Sequence, residues 1–290
     1  MTDIFISTYA FQARGLSEIL DLADRAKIRS IELSSGLGYE PELDALLDWG
    51  RRRGFHFLVH NYFPAPQDPF VLNLASARSV IRERSLDHCR RSMQLSRDLG
   101  ASFYSVHAGF ASEVTPGELG TRLRPEAILP MEEAYLIFVD SVGQLVEHGA
   151  KLDIRLAIEN HVLAEKNLVD GVNRLALMVQ TDDFLRLAED IPSPFLGFLI
   201  DTGHLAVSAR TLGFDRSQFL EAVRAKTLAL HLSDNDGQED ENLPFDSRAW
   251  FVPMLESFSD ATMVLECGPS SIEHIKATCV TIQEALPSCR

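Results

Sequence analysis

Six hydrophobic segments of the sequence end, one after another, in an ionisable side chain. In chain order these side chains are His60, His107, Glu159, Asp201, His231 and Glu266. The last four are separated by 42, 30 and 35 residues, and each interval is close to one strand–helix unit. A fold that repeats such a unit brings these four side chains into one ring. Three carboxylates in a partly dry ring repel one another, and a divalent cation removes that cost.

The expected metal ligands are therefore Glu159, Asp201, His231 and Glu266. Three carboxylates and one imidazole form an oxygen-rich set, which suits Mn²⁺, Mg²⁺ or Co²⁺ better than a structural zinc ion with its Cys and His ligands. The general order of metal affinities also allows Zn²⁺ to bind. We expect one divalent ion, with Mn²⁺ as the first choice.

The other ionisable groups at the strand ends have several interpretations. His60 and His107 fit a substrate contact, a second metal ion or a packing role, and we assign both to substrate binding. Glu32 follows the second hydrophobic segment and fits a structural role as well as a functional one.

Eight short hydrophobic segments alternate with longer amphipathic ones, which predicts parallel strands joined by right-handed helical crossovers. The predicted strands are Ile4–Tyr9, Ser30–Ser34, His56–Asn61, Phe103–His107, Leu156–Asn160, Leu196–Asp201, Leu228–Ser233 and Met263–Cys267. The predicted helices are Leu16–Lys27, Arg82–Leu99, Glu132–His148, Thr181–Asp190, Ser217–Ala225, Ser247–Ser257 and Ser271–Leu286, with N-caps at Ser17, Asp182, Asp215 and Ser270-Ser271. Eight units in 290 residues favour a closed (βα)8 TIM barrel, α/β in class, as a single domain over 1–290. The main competitor, an open nucleotide-binding sheet, lacks its G-x-G-x-x-G signature after the first strand.

Two connections on the predicted active-site side are longer than the others. Tyr62–Ser79 follows the third strand and Ala108–Pro130 follows the fourth, and loops of this length often cover or bind a ligand. Arginines in such loops could clamp a phosphate or carboxylate group of a substrate, or could simply face solvent. The candidates are Arg122, Arg124, Arg210 and Arg248.

The composition excludes several classes of partner. The net charge is −15 and the only basic run, Arg51-Arg52-Arg53, ends a helix-like segment, so no nucleic-acid partner is expected. The sequence has neither a signal-peptide pattern nor an apolar stretch long enough for a membrane helix. Cys89, Cys267, Cys279 and Cys289 are scattered, which is typical of reduced thiols. We expect a cytoplasmic protein without a membrane partner.

The strand-end motifs resemble those of the xylose isomerase-like barrel superfamily over essentially the whole chain. They are Ile158-Glu159-Asn160, Asp201-Thr202-Gly203-His204, His231-Leu232-Ser233-Asp234-Asn235-Asp236-Gly237 and Leu265-Glu266. The most similar group is that of sugar phosphate isomerases and epimerases. This resemblance implies a metal-dependent isomerase or epimerase of a sugar, sugar phosphate or related hydroxy-carbonyl compound. It implies that Glu159 and Glu266 also transfer the proton, and that His204 and Asp234 contact the substrate.

The same superfamily suggests alternative functions. It contains AP endonucleases with three metal ions, whose pattern His60, His107, His204 and His231 would match. Those nucleases carry an Asp-x-His after the seventh strand, where this chain has Asp240-Glu241-Asn242, and that departure argues against a phosphodiesterase. A dehydratase on the same metal site is a further alternative. The expected partner is a small carbohydrate-like molecule, and a homo-oligomer is compatible with the sequence.

Overall fold

Eight parallel strands form a closed barrel in the order of the chain. The computed structural model describes residues 4–13, 15–34, 36–123 and 127–287. The strands are β1 Ile4–Ser7, β2 Ser30–Leu33, β3 His56–His60, β4 Phe103–His107, β5 Arg155–Glu159, β6 Leu196–Asp201, β7 Thr227–Leu232 and β8 Thr262–Leu265. The predicted TIM barrel is confirmed, and the strand ends differ from the predicted ones by at most two residues.

The helices surround the barrel and cover the outer face of the strands. They are α1 Leu16–Ala26, α2 Leu43–Arg52, α3 Ser79–Asp98, α4 Met131–Leu152, α5 Thr181–Asp190, α6 Thr202–Leu212, α7 Arg216–Val223 and α8 Ile272–Ala285. Two of them, α6 and α7, lie between β6 and β7. Helix α6 was not predicted, because it begins directly after β6 on the N-cap Asp201 and no turn separates the two elements.

The prediction of a helix over Ser247–Ser257 was wrong. The chain there forms a 3-10 segment, Val252–Phe258, between β7 and β8. Pro253 lies in its first turn and lacks the N–H that a regular helix extending back to Ser247 would need.

The predicted helix caps were right at two positions and wrong at two. Asp215 caps α7 by accepting from the amides of Ser217 and Gln218, and Ser271 caps α8 by accepting from the amide of His274. The N-cap of α1 is Gly15 instead of Ser17. The N-cap of α5 is Gln180 instead of Asp182, because the Asp183 carboxylate reaches back to the Gln180 amide.

A small apolar cluster fills the barrel beneath the strand ends. It consists of Leu58, Phe103, Ala157, Leu199, Ala229 and Val264, all buried. Five of these residues lie two positions before a predicted site residue, and side chains two positions apart in a strand point to the same face. Ala157 thus precedes Glu159, and Ala229 precedes His231. These residues form a dry layer beneath the ionisable side chains.

Three of the four cysteines lie within the described residues. Cys89, Cys267 and Cys279 are free thiols, whereas Cys289 lies outside the described residues. Among the helices that the structure describes, none is both long and apolar enough to cross a bilayer.

Candidate metal centre

The four predicted metal ligands meet at the carboxyl ends of neighbouring strands. Glu159, Asp201 and His231 lie at or next to the ends of β5, β6 and β7, and Glu266 directly follows β8. Each offers one ligand atom, and these atoms all lie within 4.8 Å of one another. The first three residues are fully buried. The barrel therefore gathers the ring that the spacing predicted.

The orientation of His231 is set by a residue on the opposite side of the barrel. Its Nε2 lies 3.0 Å from the Oε2 atom of Glu32 on β2, and both side chains are fully buried. A carboxylate accepts the Nε2 proton, so the lone pair of a neutral His231 is on Nδ1. That nitrogen contacts Glu266 Oε2 and lies 3.5 Å from Glu159 Oε1 and 3.9 Å from Asp201 Oδ2.

Several buried atoms of this ring that could bind a metal ion lack a hydrogen-bond partner within the described residues. They are both carboxylate oxygens of Glu159 and Oδ2 of Asp201, whereas Nδ1 of His231 makes its short contact with Glu266 Oε2. Unpartnered buried polar atoms are costly, and converging lone pairs of this kind are what a divalent cation satisfies. The donor set therefore fits a divalent metal ion.

Burial and neighbouring charges shift the pKa values of the four clustered residues, upward for some and downward for others. Burial raises the pKa of Glu159 to about 7, although His231 partly offsets this rise. Burial also raises the pKa of Asp201. Burial opposes ionisation of Glu266 as well, but the neighbouring His231 outweighs it and lowers the pKa of Glu266 to about 2. For His231 itself, burial disfavours the charged ring, and Glu266 and Glu32 outweigh that effect and raise its pKa well above the usual range.

A second group of possible ligands shares Glu159 with the first. His60, His107 and Glu159 each offer a ligand atom within 4.8 Å of the others. Nε2 of His60 and Nδ1 of His107 both lie 3.3 Å from Glu159 Oε2, and Nδ1 of His60 is hydrogen bonded to the Ser105 hydroxyl. Burial lowers the pKa of His60 to about 3 and that of His107 well below its usual value, which favours the neutral imidazoles that metal binding requires.

His204 connects the ring to a carboxylate that the sequence analysis did not assign to the site. Its Nδ1 lies 2.9 Å from the Asn160 carbonyl and 3.6 Å from Glu159 Oε1. Its Nε2 lies 3.3 Å from Asp240 Oδ2. Asp240 belongs to the loop after β7. The only sequence signal for it was that Asp240-Glu241-Asn242 stands where the related nucleases carry Asp-x-His.

Gly203 leaves space that the ring requires. A β-carbon at this position would lie 2.5 Å from Ser233 Oγ and 3.2 Å from Asp201 Oδ1. The same Asp201 oxygen accepts from the His204 amide at 2.7 Å, which caps α6 and leaves Oδ2 for the ring. The glycine of the Asp-Thr-Gly-His motif therefore protects the position of Asp201.

Asp234, the other predicted substrate contact, is not brought into this cluster. Its carboxylate accepts from the following Asn235 amide, and its backbone pairs with Leu243. Asp234 lies outside the lining of the cavity above the ring. His161, which the sequence analysis left without a role, stacks on His107 with ring centroids 5.1 Å apart and does line the cavity.

A cavity of about 750 Å³ opens above the ring and reaches down to His107, His161, His204 and Asp240. Its walls include residues from both long loops, those after β3 and β4, as their length predicted. Three of the four candidate arginines are described, and they stay outside this lining: Arg210 donates to the Asp236 carbonyl, Arg248 pairs with Asp246, and Arg122 is exposed. Arg124 lies outside the described residues.

Comparison with known proteins identifies the family. The family profile described as xylose isomerase-like TIM barrel matches residues 12–275. The chain belongs to this family. A search of curated proteins finds no significant match. The resemblance that the strand-end motifs indicated is thus confirmed at the level of the xylose isomerase-like TIM barrel family.

Solved structures with this fold include sugar epimerases. A D-tagatose 3-epimerase-like protein is 18% identical with a TM-score of 0.74, and the match covers 98% of this chain and 97% of that one. An L-ribulose 3-epimerase is 16% identical with a TM-score of 0.67, covering 97% and 86%. A Thermus thermophilus protein, TTHB071, whose crystals were soaked with ZnCl2, is 23% identical with a TM-score of 0.65, covering 97% and 98%. At these identities the likeness concerns the fold.

Proposed function

We propose that this protein is a divalent-metal-dependent isomerase or epimerase of a sugar-like hydroxy-carbonyl compound. The observation that carries the proposal is the pair Glu159 and Glu266, whose carboxylates converge with Asp201 and His231 next to a large cavity that His107 and His204 line. Two carboxylates with pKa values displaced in opposite directions are typical of sites that take up and return a proton. Mn²⁺ remains our preferred ion, with Mg²⁺, Co²⁺ and Zn²⁺ as alternatives.

A bound divalent ion would act as a Lewis acid toward the carbonyl and an adjacent hydroxyl group of the substrate. Glu266 would accept the proton from the carbon next to the carbonyl, and Glu159 would return one. Return of a proton to the neighbouring carbon gives isomerisation, and return to the same carbon from the opposite face gives epimerisation. Both outcomes fit this pair.

The histidines have distinct places in this scheme. His107 and His204 line the cavity and would contact the oxygens of the substrate, which keeps the assignment made from the sequence. His60 lies below them at 3% exposure, outside the cavity lining, and would position Glu159 through its 3.3 Å contact. Asp234 would act on a substrate only if the loop after β7 moved it toward the cavity.

A proton-exchange experiment tests this function. The Mn²⁺-loaded protein is incubated in deuterated water with pooled aldoses, ketoses and sugar acids, and products are analysed by NMR and mass spectrometry. We expect deuterium at a carbon beside a carbonyl, which Glu266→Gln abolishes and the surface variant Glu18→Gln retains. Loss of water from the product would indicate the dehydratase instead. Absence of exchange across the panel would contradict the proposal.

One observation favours a second candidate, a metal-dependent phosphodiesterase of the AP endonuclease type. The group His60, His107 and Glu159 would hold another ion beside the first, and hydrolysis of phosphodiesters generally uses such clustered ions. His204 and Asp240 lie together as well, although Asn242 stands where those nucleases carry a histidine. Two or three ions per chain together with cleavage of an abasic-site oligonucleotide would reverse our ranking.

A further inference from the structure

The cavity above the ring has a polar floor and apolar walls. The floor is formed by His107, His161, His204 and Asp240, next to Glu159. The walls rise from the loops after β2, β3, β4 and β5 and include Leu37, Phe70, Leu72, Phe110, Leu119 and Leu163. Pockets usually combine apolar walls with a few polar groups that orient the ligand. Here four polar side chains form the end where the reaction would occur, and further polar side chains lie among the apolar ones of the walls.

Most polar side chains on these walls already have partners within the protein. The Tyr62 hydroxyl accepts from the Phe70 amide at 2.6 Å, and Oδ1 of Asn167 accepts from the Leu123 amide at 2.9 Å. The Thr121 hydroxyl donates to the Glu118 carbonyl at 2.8 Å. A chain of hydroxyl groups buried against these walls would lose its bonds to water and regain few, and each such loss is costly.

The walls also offer little to a phosphate group. Among the described residues that line the cavity, Lys166 is the only Lys or Arg, and its ammonium group pairs with Glu239. The floor adds the carboxylate of Asp240 and borders Glu159. Within the described lining, a phosphate group would therefore meet the carboxylate of Asp240 and no lysine or arginine that lacks a carboxylate partner.

The mouth of the cavity leaves large apolar side chains exposed to water. Leu119 is 50% exposed and Tyr39 is 56% exposed, and both line the cavity. A volume of about 750 Å³ corresponds to roughly 25 water molecules, well beyond what a small hydroxy-carbonyl head group fills. Covering these side chains with apolar atoms of a ligand would be favourable, at about 25 cal/mol per Å².

We infer that the natural substrate carries an uncharged apolar group, alkyl or aryl, attached to its hydroxy-carbonyl head. The head would lie on the floor beside Glu159, and the apolar group would extend between Phe110 and Leu119 toward the mouth. This inference rests on the proposed function for the chemistry of the head. The apolar group itself follows from the walls of the cavity. Free and phosphorylated sugars are then poorer ligands than sugar-like compounds with an apolar substituent.

Binding of unreactive diols tests the inference separately from turnover. Isothermal titration calorimetry of the Mn²⁺-loaded protein measures the binding of hexane-1,2-diol, 1-phenylethane-1,2-diol and glucitol. Glucitol has as many carbons as hexane-1,2-diol, but each of its carbons carries a hydroxyl group. We expect the two apolar diols to bind at least tenfold more tightly, with a negative change in heat capacity. Equal or tighter binding of glucitol would overturn the inference.

A matched pair of variants locates the binding. Leu119→Asn changes an exposed wall residue, and Leu136→Asn changes a residue of similar exposure, 59%, on the outer helix α4. Because both side chains are exposed, both variants should fold, and thermal melting verifies this. Leu119→Asn should weaken hexane-1,2-diol about fivefold or more and leave glucitol unchanged, whereas Leu136→Asn should affect neither. Equal effects of the two variants would contradict the inference.

Deuterium exchange then separates the inference from the proposed function. The compared compounds are 1-hydroxyheptan-2-one and a free ketohexose, which share a 1-hydroxy-2-keto head. Faster exchange in the heptanone supports both ideas. Faster exchange in the ketohexose supports the proton-transfer function and overturns the apolar substituent. If neither compound exchanges while the apolar diols still bind preferentially, the proposed function fails and the apolar binding site stands.

Discussion

Glu32 and His231 face each other across the barrel, with Oε2 of the glutamate 3.0 Å from Nε2 of the imidazole. The two residues are 199 positions apart in sequence, and both are fully buried. The other oxygen of Glu32, Oε1, has no hydrogen-bond partner among the described residues. A carboxylate behind a metal-binding histidine fixes the imidazole and its tautomer, so we propose that Glu32 positions His231.

Replacing Glu32 with Gln should weaken metal binding by about 10- to 100-fold, the usual effect of losing such a partner. The amide can still bond Nε2 but no longer favours the tautomer with the lone pair on Nδ1. Competition between the protein and a fluorescent chelator for Mn²⁺ measures the affinity. Thermal melting of the ion-free variant verifies that it folds. Unchanged Mn²⁺ affinity would remove Glu32 from this role.

Glu159→Gln should remove most of the stabilisation that the metal ion provides. An ion at 100 times its Kd stabilises the wild type by about 2.7 kcal/mol, or roughly 4 °C in melting temperature. Glu159 belongs to both ligand groups, so its amide variant should reduce the shift to below about 1 kcal/mol and abolish deuterium exchange. Differential scanning calorimetry with Mn²⁺ and with a chelator measures the shift. A wild-type shift in the variant would exclude Glu159 as a ligand.

Gly203→Ala should disturb the ring through steric contact. The added methyl group would meet Ser233 and press on Asp201, and such overpacking costs about 1–3 kcal/mol. We expect reduced stability in denaturant unfolding and a weaker Mn²⁺ affinity. Gly143→Ala in α4 is the matched control, because a β-carbon there would have nothing within 4 Å. That control should be stabilised by up to about 1 kcal/mol. Equal behaviour of the two variants would show that the space at Gly203 is dispensable.

The barrel and the clustering of the candidate metal ligands were predictable because strand phase and spacing are local properties of the sequence. Ala157 and Glu159 lie two positions apart on one strand, so the dry layer and the ligand are encoded together. The partnership of Glu32 with His231 depends on the width of the closed barrel, which no local pattern contains. Asp240 reaches His204 from an irregular loop, and its position depends on tertiary contacts.

The buried His88 should make stability depend on pH. Its ring packs against Tyr62 and Phe70, and burial lowers its pKa to about 4 from an ordinary 6.5. The unfolded chain therefore binds a proton more readily than the folded protein below pH 6.5. Stability is lost as the pH falls from 6.5 and levels off below about 4, by about 2 kcal/mol at pH 5.

His88→Phe keeps the aromatic packing and removes the titrating group, so it should abolish this part of the pH dependence. Urea unfolding at pH 7 and pH 5 gives the change in the free energy of unfolding for the wild type and for the variant. Subtracting one change from the other cancels the contributions that other buried histidines make to both proteins. The exposed His274→Gln is the control and should follow the wild type. If the free energy of unfolding of His88→Phe falls between pH 7 and pH 5 as much as that of the wild type, His88 is protonated in the folded protein at pH 5 and contributes nothing to acid sensitivity.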